Sequence, residues 1–345
     1  MVGVLFILVA VTAVVSWLRR YVDYGVDPAI LSSFRTRIRA WWILFGSIAC
    51  VFMLGSLATL LLFFVMSINA LREYITLTPK SPVDHQTLFW IYVFFTPLQF
   101  VLIGVNPAWL FSVIGIYPYQ LFSILLPGYV FLILPGFMAV SGDPKRFLER
   151  TAKLQLGLMI CVYSLSYAPA ILTMYIPADV VNTVNESVVE IPSETVTTLV
   201  LHNYLPPVNG INFRLLFFFV VVVQLGDVFQ YLWSQIPSGH IVAERINSTR
   251  TWEGVFGGVI STGLLGVALW YFTPFPQWWH AGLIAMIVSF VGFCGSMTMS
   301  AIKRDRGVSG YGTLIQGHNG TLDRIDSLCF AAPVFYHLTW IFIRL

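Results

Sequence analysis

The sequence predicts an all-α integral membrane protein that crosses the bilayer about ten times. Hydrophobic residues make up 57% of the 345 residues and charged residues only 10%, whereas soluble domains carry about 25% charge. The mean hydropathy is +0.80. Apolar runs able to span a bilayer, which needs about 20 residues, recur along the chain. These observations exclude a soluble domain, and no nucleic-acid partner is expected.

Apolar runs separated by polar residues are the predicted membrane helices. The stretch 41–71 is too long for one helix, so Gly55 is the expected break within it. The run 108–140 contains three prolines and is interpreted as one long segment or two short ones. The predicted spans lie near residues 2–18, 41–54, 55–71, 88–104, 108–140, 153–176, 212–233, 254–273, 277–297 and 328–343.

The distribution of Lys and Arg predicts the orientation, because short cytoplasmic loops are enriched in both. The loop 177–211 has no Lys or Arg but four acidic residues, so it is predicted to be external. The loops 234–253 and 298–327 are basic and are predicted to be cytoplasmic. We expect N-terminal transmembrane helices over 1–210 and a C-terminal, catalytic-type transmembrane region over 211–345. The expected location is the inner (cytoplasmic) membrane, with the site facing the cytoplasm.

One carboxylate, Asp227, lies at the end of the apolar run 215–225. A charged side chain at membrane depth costs about 2.5 to 3.5 kcal/mol on insertion scales, so it indicates a function. A helix-end residue in the headgroup layer is the alternative.

A second polar cluster overlaps the start of the run 254–273. A guanidinium beside exposed backbone N–H groups at glycines can bind phosphate. A solvated cytoplasmic loop explains the same residues equally well, so both interpretations stay open. The residues are Arg250, Thr251, Glu253, Gly254, Gly257 and Gly258.

The segment 300–326 is the strongest candidate for a site. Asp323 and Asp326 are three residues apart and share a helix face if Thr321 begins a helix. Carboxylates beside phosphate-binding cations indicate a divalent metal, because a cation must separate like charges. The cluster therefore predicts a nucleotide or phospholipid-phosphate site. Its other polar residues are Ser300, Lys303, Arg304, Arg306, His318 and Arg324, with five glycines between positions 307 and 320.

Two strings of this sequence resemble the C-terminal signature of the phosphatidate cytidylyltransferase family, the CDP-diacylglycerol synthases. They are Ser300-x-x-Lys303-Arg304 and Gly317-His318-x-Gly320-x-x-Asp323-Arg324-x-Asp326. Three further strings are similar to upstream parts of that family: Gly226-Asp227 with Gln230-Tyr231, Arg250-Thr251-Trp252-Glu253-Gly254, and Leu71-Arg72-Glu73-Tyr74. The resemblance covers most of the chain.

The resemblance implies nucleotidyl transfer from CTP to phosphatidic acid or a related phospholipid, giving CDP-diacylglycerol and pyrophosphate. It also implies Mg²⁺, with a second cation as an option, and a homodimer. The implied catalytic residues are Asp323, Asp227 and Lys303, with Asp323 and Asp227 as metal ligands. The implied substrate-binding residues are Arg250, Thr251, Glu253, Ser300, Arg304, Gly317, His318, Asn319, Gly320, Arg324 and Asp326.

Several positions depart from the family pattern. Ser296 stands where the family has a metal-binding Asp, and a hydroxyl binds a hard divalent cation far less well than a carboxylate. Ser309-Gly310 replaces a Lys-Asp pair, and Asn319 replaces a glycine. These changes keep open a second hypothesis, a member that has lost catalysis and binds lipid or a membrane partner. A transporter built around Asp227 is the third.

Overall fold

A computed structural model describes residues 54–76, 85–105, 115, 118–140, 143–174, 209–236, 239–308 and 320–343. The predicted spans 2–18 and 41–54 lie outside the described residues, apart from Leu54, and so does most of the predicted external loop 177–211. The chain divides into two compact units, 1–62 and 63–345, and the candidate site belongs to the second. The division at residue 210 stays a prediction.

The described part of the chain contains eight helices and one β-hairpin, with a short 3-10 helix, Trp270–Phe272, between the sixth and seventh helices. In order, these are α1 (Ser56–Thr76), α2 (His85–Gly104), α3 (Tyr119–Val140), α4 (Phe147–Thr173), α5 (Asn209–Trp233), β1 (Ile241–Ala243), β2 (Asn247–Thr251), α6 (Trp252–Ala268), α7 (Trp278–Asp305) and α8 (Leu322–Phe342). Helices α2, α3 and α4 each contain one π-helical turn. The prediction of an all-α membrane protein is confirmed.

Seven of the described helices, all but α6, are long and apolar enough to cross a membrane. They coincide with seven of the predicted spans. Helix α6 has 17 residues and ends at Ala268, before the end of the predicted span 254–273. Gly55 has a φ of +99° directly before α1. The predicted break is therefore confirmed, at a backbone conformation that only glycine adopts readily.

A small antiparallel hairpin occupies much of the predicted loop 234–253. Ile241 pairs with Thr251 and Ala243 with Asn247 across β1 and β2. The Thr251 hydroxyl accepts a 3.1 Å hydrogen bond from the Gly254 N–H and so caps α6. A threonine at this position satisfies one of the N–H groups that have no partner inside the helix.

The predicted loop 298–327 is much shorter in the structure, because α7 continues to Asp305 and α8 begins at Leu322. Thr321 is the N-cap of α8, so the expected helix start is confirmed. At 28 residues, α7 is about 42 Å long, whereas the hydrocarbon core of a bilayer is about 30 Å thick. The sequence prediction ended this helix with its apolar residues, but the helix carries Lys303 and Arg304 beyond them.

Glycine residues let the C-terminal helices approach closely. Helix α6 packs against both α5 and α7, and α7 packs against α8. A Cβ added at Gly258 would lie 2.7 Å from the backbone N and Cα of Gln230 in α5, and one at Gly266 would lie 2.6 Å from the carbonyl oxygen of Ala281 in α7. Small residues at such contacts are typical of helix packing in membranes.

We expect Gly258→Ala to destabilise the protein, because the new methyl group must displace the backbone at Gln230. Overpacking costs about 1–3 kcal/mol, so the midpoint of thermal unfolding in detergent should fall. Gly136→Ala is the matched control, since a Cβ at that helical glycine meets nothing within 4 Å. Equal midpoints in the two variants would contradict the close approach of α5 and α6.

Candidate functional site

An ion pair joins the end of α7 to the start of α8. The Lys303 ammonium donates a 2.8 Å hydrogen bond to Asp323 Oδ1, and the two side chains are only 20% and 7% exposed. Asp323 lies in the first turn of α8, where the helix dipole favours a negative charge. The structure thus brings together two of the three residues predicted to be catalytic, across 20 positions of sequence.

Two more carboxylates belong to the same cluster. Asp326 follows Asp323 by three residues in α8, and its Oδ1 accepts a 2.8 Å hydrogen bond from the Ser327 N–H. Asp227 of α5, Asp323 and Lys303 lie near enough to the Asp326 carboxyl group for their charges to interact with it. The cluster therefore draws on α5, α7 and α8, and contains all three residues predicted to be catalytic. We call Asp227, Lys303, Asp323 and Asp326 the α5/α7/α8 charge cluster.

Ser296 lies on the face of α7 that carries Lys303. Residues 296, 300 and 303 follow the i, i+4, i+7 spacing of one helical face, and the Ser300 hydroxyl donates a 2.8 Å hydrogen bond to the Ser296 carbonyl oxygen. Both serines are half-buried. The serine that replaces the family's carboxylate is therefore on the same side of α7 as the charge cluster.

The β-hairpin contacts the cationic end of α7. The exposed Arg304 side chain donates from Nε to the Ile246 carbonyl oxygen, at 3.2 Å, in the turn between β1 and β2. Arg324 of α8 is tied to α5 through its main chain, since Gln224 Nε2 donates to its carbonyl oxygen at 3.4 Å. These contacts hold two predicted phosphate-binding residues next to the charge cluster.

A buried polar relay connects Arg250 to α7. Arg250 Nη1 donates to Gln230 Oε1 at 3.4 Å. Gln230 Nε2 in turn donates to the carbonyl oxygen and the hydroxyl of Ser289, both at 3.1 Å. Gln230 and Ser289 are buried. Gln230 of α5 thus connects Arg250 in the hairpin to Ser289 in α7. The sequence did not predict this connection.

Thr251 and Glu253 have clear structural partners. Thr251 caps α6, and Glu253 accepts hydrogen bonds of 2.8 Å from the backbone N–H and the imidazole Nδ1 of His240. Glu253 lies outside the seven spans, and the hydrogen bond from His240 lowers the pKa of its carboxyl group. These contacts close the base of the hairpin. Substrate binding by Thr251 and Glu253 stays a prediction.

Sequence reasoning missed two contacts that reach the site from the N-terminal helices. Glu149 of α4 pairs with Lys153 and, at 3.9 Å, with Arg306 beyond the end of α7. Glu73 of α1 accepts hydrogen bonds from the backbone N–H groups of Thr321 and Leu322. The acidic residue within a resembling string, Leu71-Arg72-Glu73-Tyr74, was the available signal for the second contact.

Three predicted site residues, Gly317, His318 and Asn319, lie outside the described residues, while Gly320 is buried directly before the N-cap of α8. Within the described part of the chain, no three His, Cys, Asp or Glu side chains form a group that could hold a metal ion. The charge cluster thus offers carboxylate oxygens beside an ammonium group, without a metal cage made wholly of these side chains.

Comparison with known proteins agrees with this architecture. Residues 35–342 match the cytidylyltransferase family. The chain is 31% identical over 304 residues to the uncharacterized protein YnbB of Escherichia coli (strain K12). The matched region covers 87% of this chain and 85% of that relative.

Two shorter matches are to proteins named phosphatidate cytidylyltransferase. The one from Brucella abortus is 31% identical over 125 residues, 36% of this chain and 46% of the relative. The one from Synechocystis sp. is 35% identical over 118 residues, 32% of this chain and 40% of the relative. Both matches cover less than half of the relative. Since the family match spans nearly the whole chain, this integral membrane protein belongs to the cytidylyltransferase family.

Proposed function

We propose that this protein transfers a cytidylyl group from CTP to phosphatidic acid, giving CDP-diacylglycerol and pyrophosphate. The observation that carries the proposal is the Lys303–Asp323 ion pair between α7 and α8, with Asp326 one helical turn after Asp323 and Asp227 of α5 near enough to Asp326 for their charges to interact. A polar cluster between membrane helices suits a reaction between a charged nucleotide and a lipid headgroup. Relatives named phosphatidate cytidylyltransferase support this choice of reaction.

The reaction needs no covalent enzyme nucleophile. An oxygen of the lipid phosphate forms a bond to the α-phosphorus of CTP. The bond from that phosphorus to the oxygen that bridges to the β-phosphate breaks, and pyrophosphate leaves with the electron pair. The protein must hold two anionic reactants together and offset their repulsion.

Lys303 and Arg304 at the end of α7 provide the positive charge. Asp323 pairs with the Lys303 ammonium in a largely buried position, where an unpaired charge would be costly. An incoming phosphate group offers Lys303 a second anionic partner. We infer that Lys303 then contacts the triphosphate and leaves an Asp323 oxygen available to another cation.

The donor chemistry of the charge cluster fits Mg²⁺. This ion is usually held by one or two carboxylates, with water and substrate phosphates completing its coordination, so the cluster does not need a third protein ligand. Asp323 and Asp227 would hold it. When bound, it would neutralise charge on the triphosphate.

The site is proposed to face the cytoplasm from the inner membrane. Lys303, Arg304 and Arg306 stand together at the end of α7, beyond its apolar residues. Such a concentration of cations is typical of the cytoplasmic side.

A second candidate function is binding without catalysis. It is favoured by Ser296, which lies on the Lys303 face of α7 where the family has an Asp. In that case the cluster would bind a nucleotide or a phosphate-bearing lipid without turnover.

Asp323→Asn is expected to lower kcat/KM for CDP-diacylglycerol formation by about 10³-fold, because the amide cannot replace a charged metal ligand. The assay would use detergent-purified protein, labelled CTP, phosphatidic acid and Mg²⁺. Glu244→Gln, an exposed change at the hairpin tip, is the control and should keep wild-type activity. Absence of product from the wild type, with metal and lipid acceptor varied, would refute the proposed reaction. Full activity in Asp323→Asn would refute the role of Asp323.

Ser296→Asp is expected to lower the Mg²⁺ concentration needed for half-maximal activity by about tenfold, since it adds a hard carboxylate beside the cluster. Ser296→Asn is the matched control, with similar size and no charge, and should not show this gain. A silent wild type that becomes active in Ser296→Asp would favour the second candidate function. An unchanged metal dependence would show that position 296 does not face the metal.

A further inference from the structure

The first turn of α8 is capped by a side chain that is distant in sequence. Glu73 Oε1 accepts a hydrogen bond from the Thr321 N–H, and Glu73 Oε2 accepts one from the Leu322 N–H, both at 2.8 Å. Thr321 makes no side-chain capping bond of its own. The first N–H groups of a helix have no partner within it. Glu73 therefore satisfies two of them with one charged group, which the helix dipole also favours.

Glu73 is presented from a firmly packed helix end. Leu71 and Tyr74 on either side of it in α1 are buried. Two turns earlier, the buried Ser67 hydroxyl donates a 2.7 Å hydrogen bond to the Cys161 carbonyl oxygen of α4. The Tyr74 ring lies so close to Gly157 that a Cβ there would approach a ring carbon to 2.5 Å. The last turn of α1 is thus a rigid support for the carboxylate.

The cap bears directly on Asp323, which follows Leu322 in α8. An Asp in the first turn of a helix can itself hydrogen-bond the free N–H groups. Because Glu73 occupies two of these groups, the Asp323 carboxylate is available to Lys303, which donates to its Oδ1. If α8 instead started two residues later, at Arg324, Asp323 would lie outside the helix and its backbone would no longer hold the carboxylate toward Lys303.

We propose that Glu73 is a positioning residue of the active site, which fixes the start of α8 and thereby aims Asp323 at Lys303. This inference rests on the proposed function for its catalytic consequence, while its structural part is independent of turnover. Glu73 touches backbone groups rather than reactants, so it acts through Asp323.

Glu73→Gln tests the proposal while keeping the side-chain size. The amide has one oxygen acceptor and no charge, so at least one of the two capping bonds is lost. We expect hydrogen exchange over residues 320–326 to be about tenfold faster, since a weakened cap opens the helix end locally. We also expect kcat for CDP-diacylglycerol formation to fall about tenfold, with an unchanged midpoint of thermal unfolding.

Thr76→Ala is the matched control. Its hydroxyl donates to the Glu73 carbonyl oxygen at 2.7 Å in the same turn of α1 and is exposed, so the change disturbs that turn without touching the capping carboxylate. Exchange over 320–326 and kcat should both stay at wild-type values in this variant.

Wild-type exchange over 320–326 in Glu73→Gln would overturn the proposal, and so would wild-type kcat. A lower unfolding midpoint with faster exchange throughout the bundle would also overturn it, because Glu73 would then be a general stability residue. A wild type that forms no CDP-diacylglycerol would remove the proposed function alone. The exchange measurement would still decide whether Glu73 sets the start of α8.

Discussion

The cost of placing charged groups among apolar helices constrains the whole C-terminal half of the chain. A nearly buried ammonium or carboxylate is tolerated only with a partner, and Lys303 and Asp323 are each other's partner across α7 and α8. This pair fixes which end of α7 meets which end of α8. The pair also requires α7 to extend past its apolar residues, because Lys303 lies beyond them and must be held in the helix to reach Asp323.

Close helix packing makes the cluster compact. Glycines in α6 bring it against the backbones of α5 and α7, and Gln224 of α5 donates a hydrogen bond to the Arg324 carbonyl oxygen in the first turns of α8. The polar relay from Arg250 through Gln230 to Ser289 adds directional contacts between the same helices. The charge cluster is thus held by a scaffold of small residues and buried hydrogen bonds. Such preorganisation suits a reaction that depends on holding two anions in place.

Composition and apolar runs were sufficient to predict the fold class and the break at Gly55. The three-residue spacing of Asp323 and Asp326 predicted that they share one face of a helix. The extent of α7 was underestimated, because its last turns are helical but polar. The Glu73 cap joins positions 248 residues apart; the string around Glu73 marked the residue as a candidate, but nothing in the sequence indicated its partner. The hairpin escaped prediction because its strands are only three and five residues long. The sequence did not predict that the Thr251 hydroxyl caps α6, and its predicted role in substrate binding stays a prediction.

The most direct test of the account is whether the α5/α7/α8 charge cluster binds a metal–nucleotide complex. Electron paramagnetic resonance of Mn²⁺ added to the purified protein would measure this without turnover, using a CTP analogue that cannot react. The account predicts Mn²⁺ bound to the wild type in the presence of the analogue and at least about tenfold weaker binding in Asp323→Asn and in Asp227→Asn. Equal binding in the wild type and both variants, or none in the wild type, would contradict it.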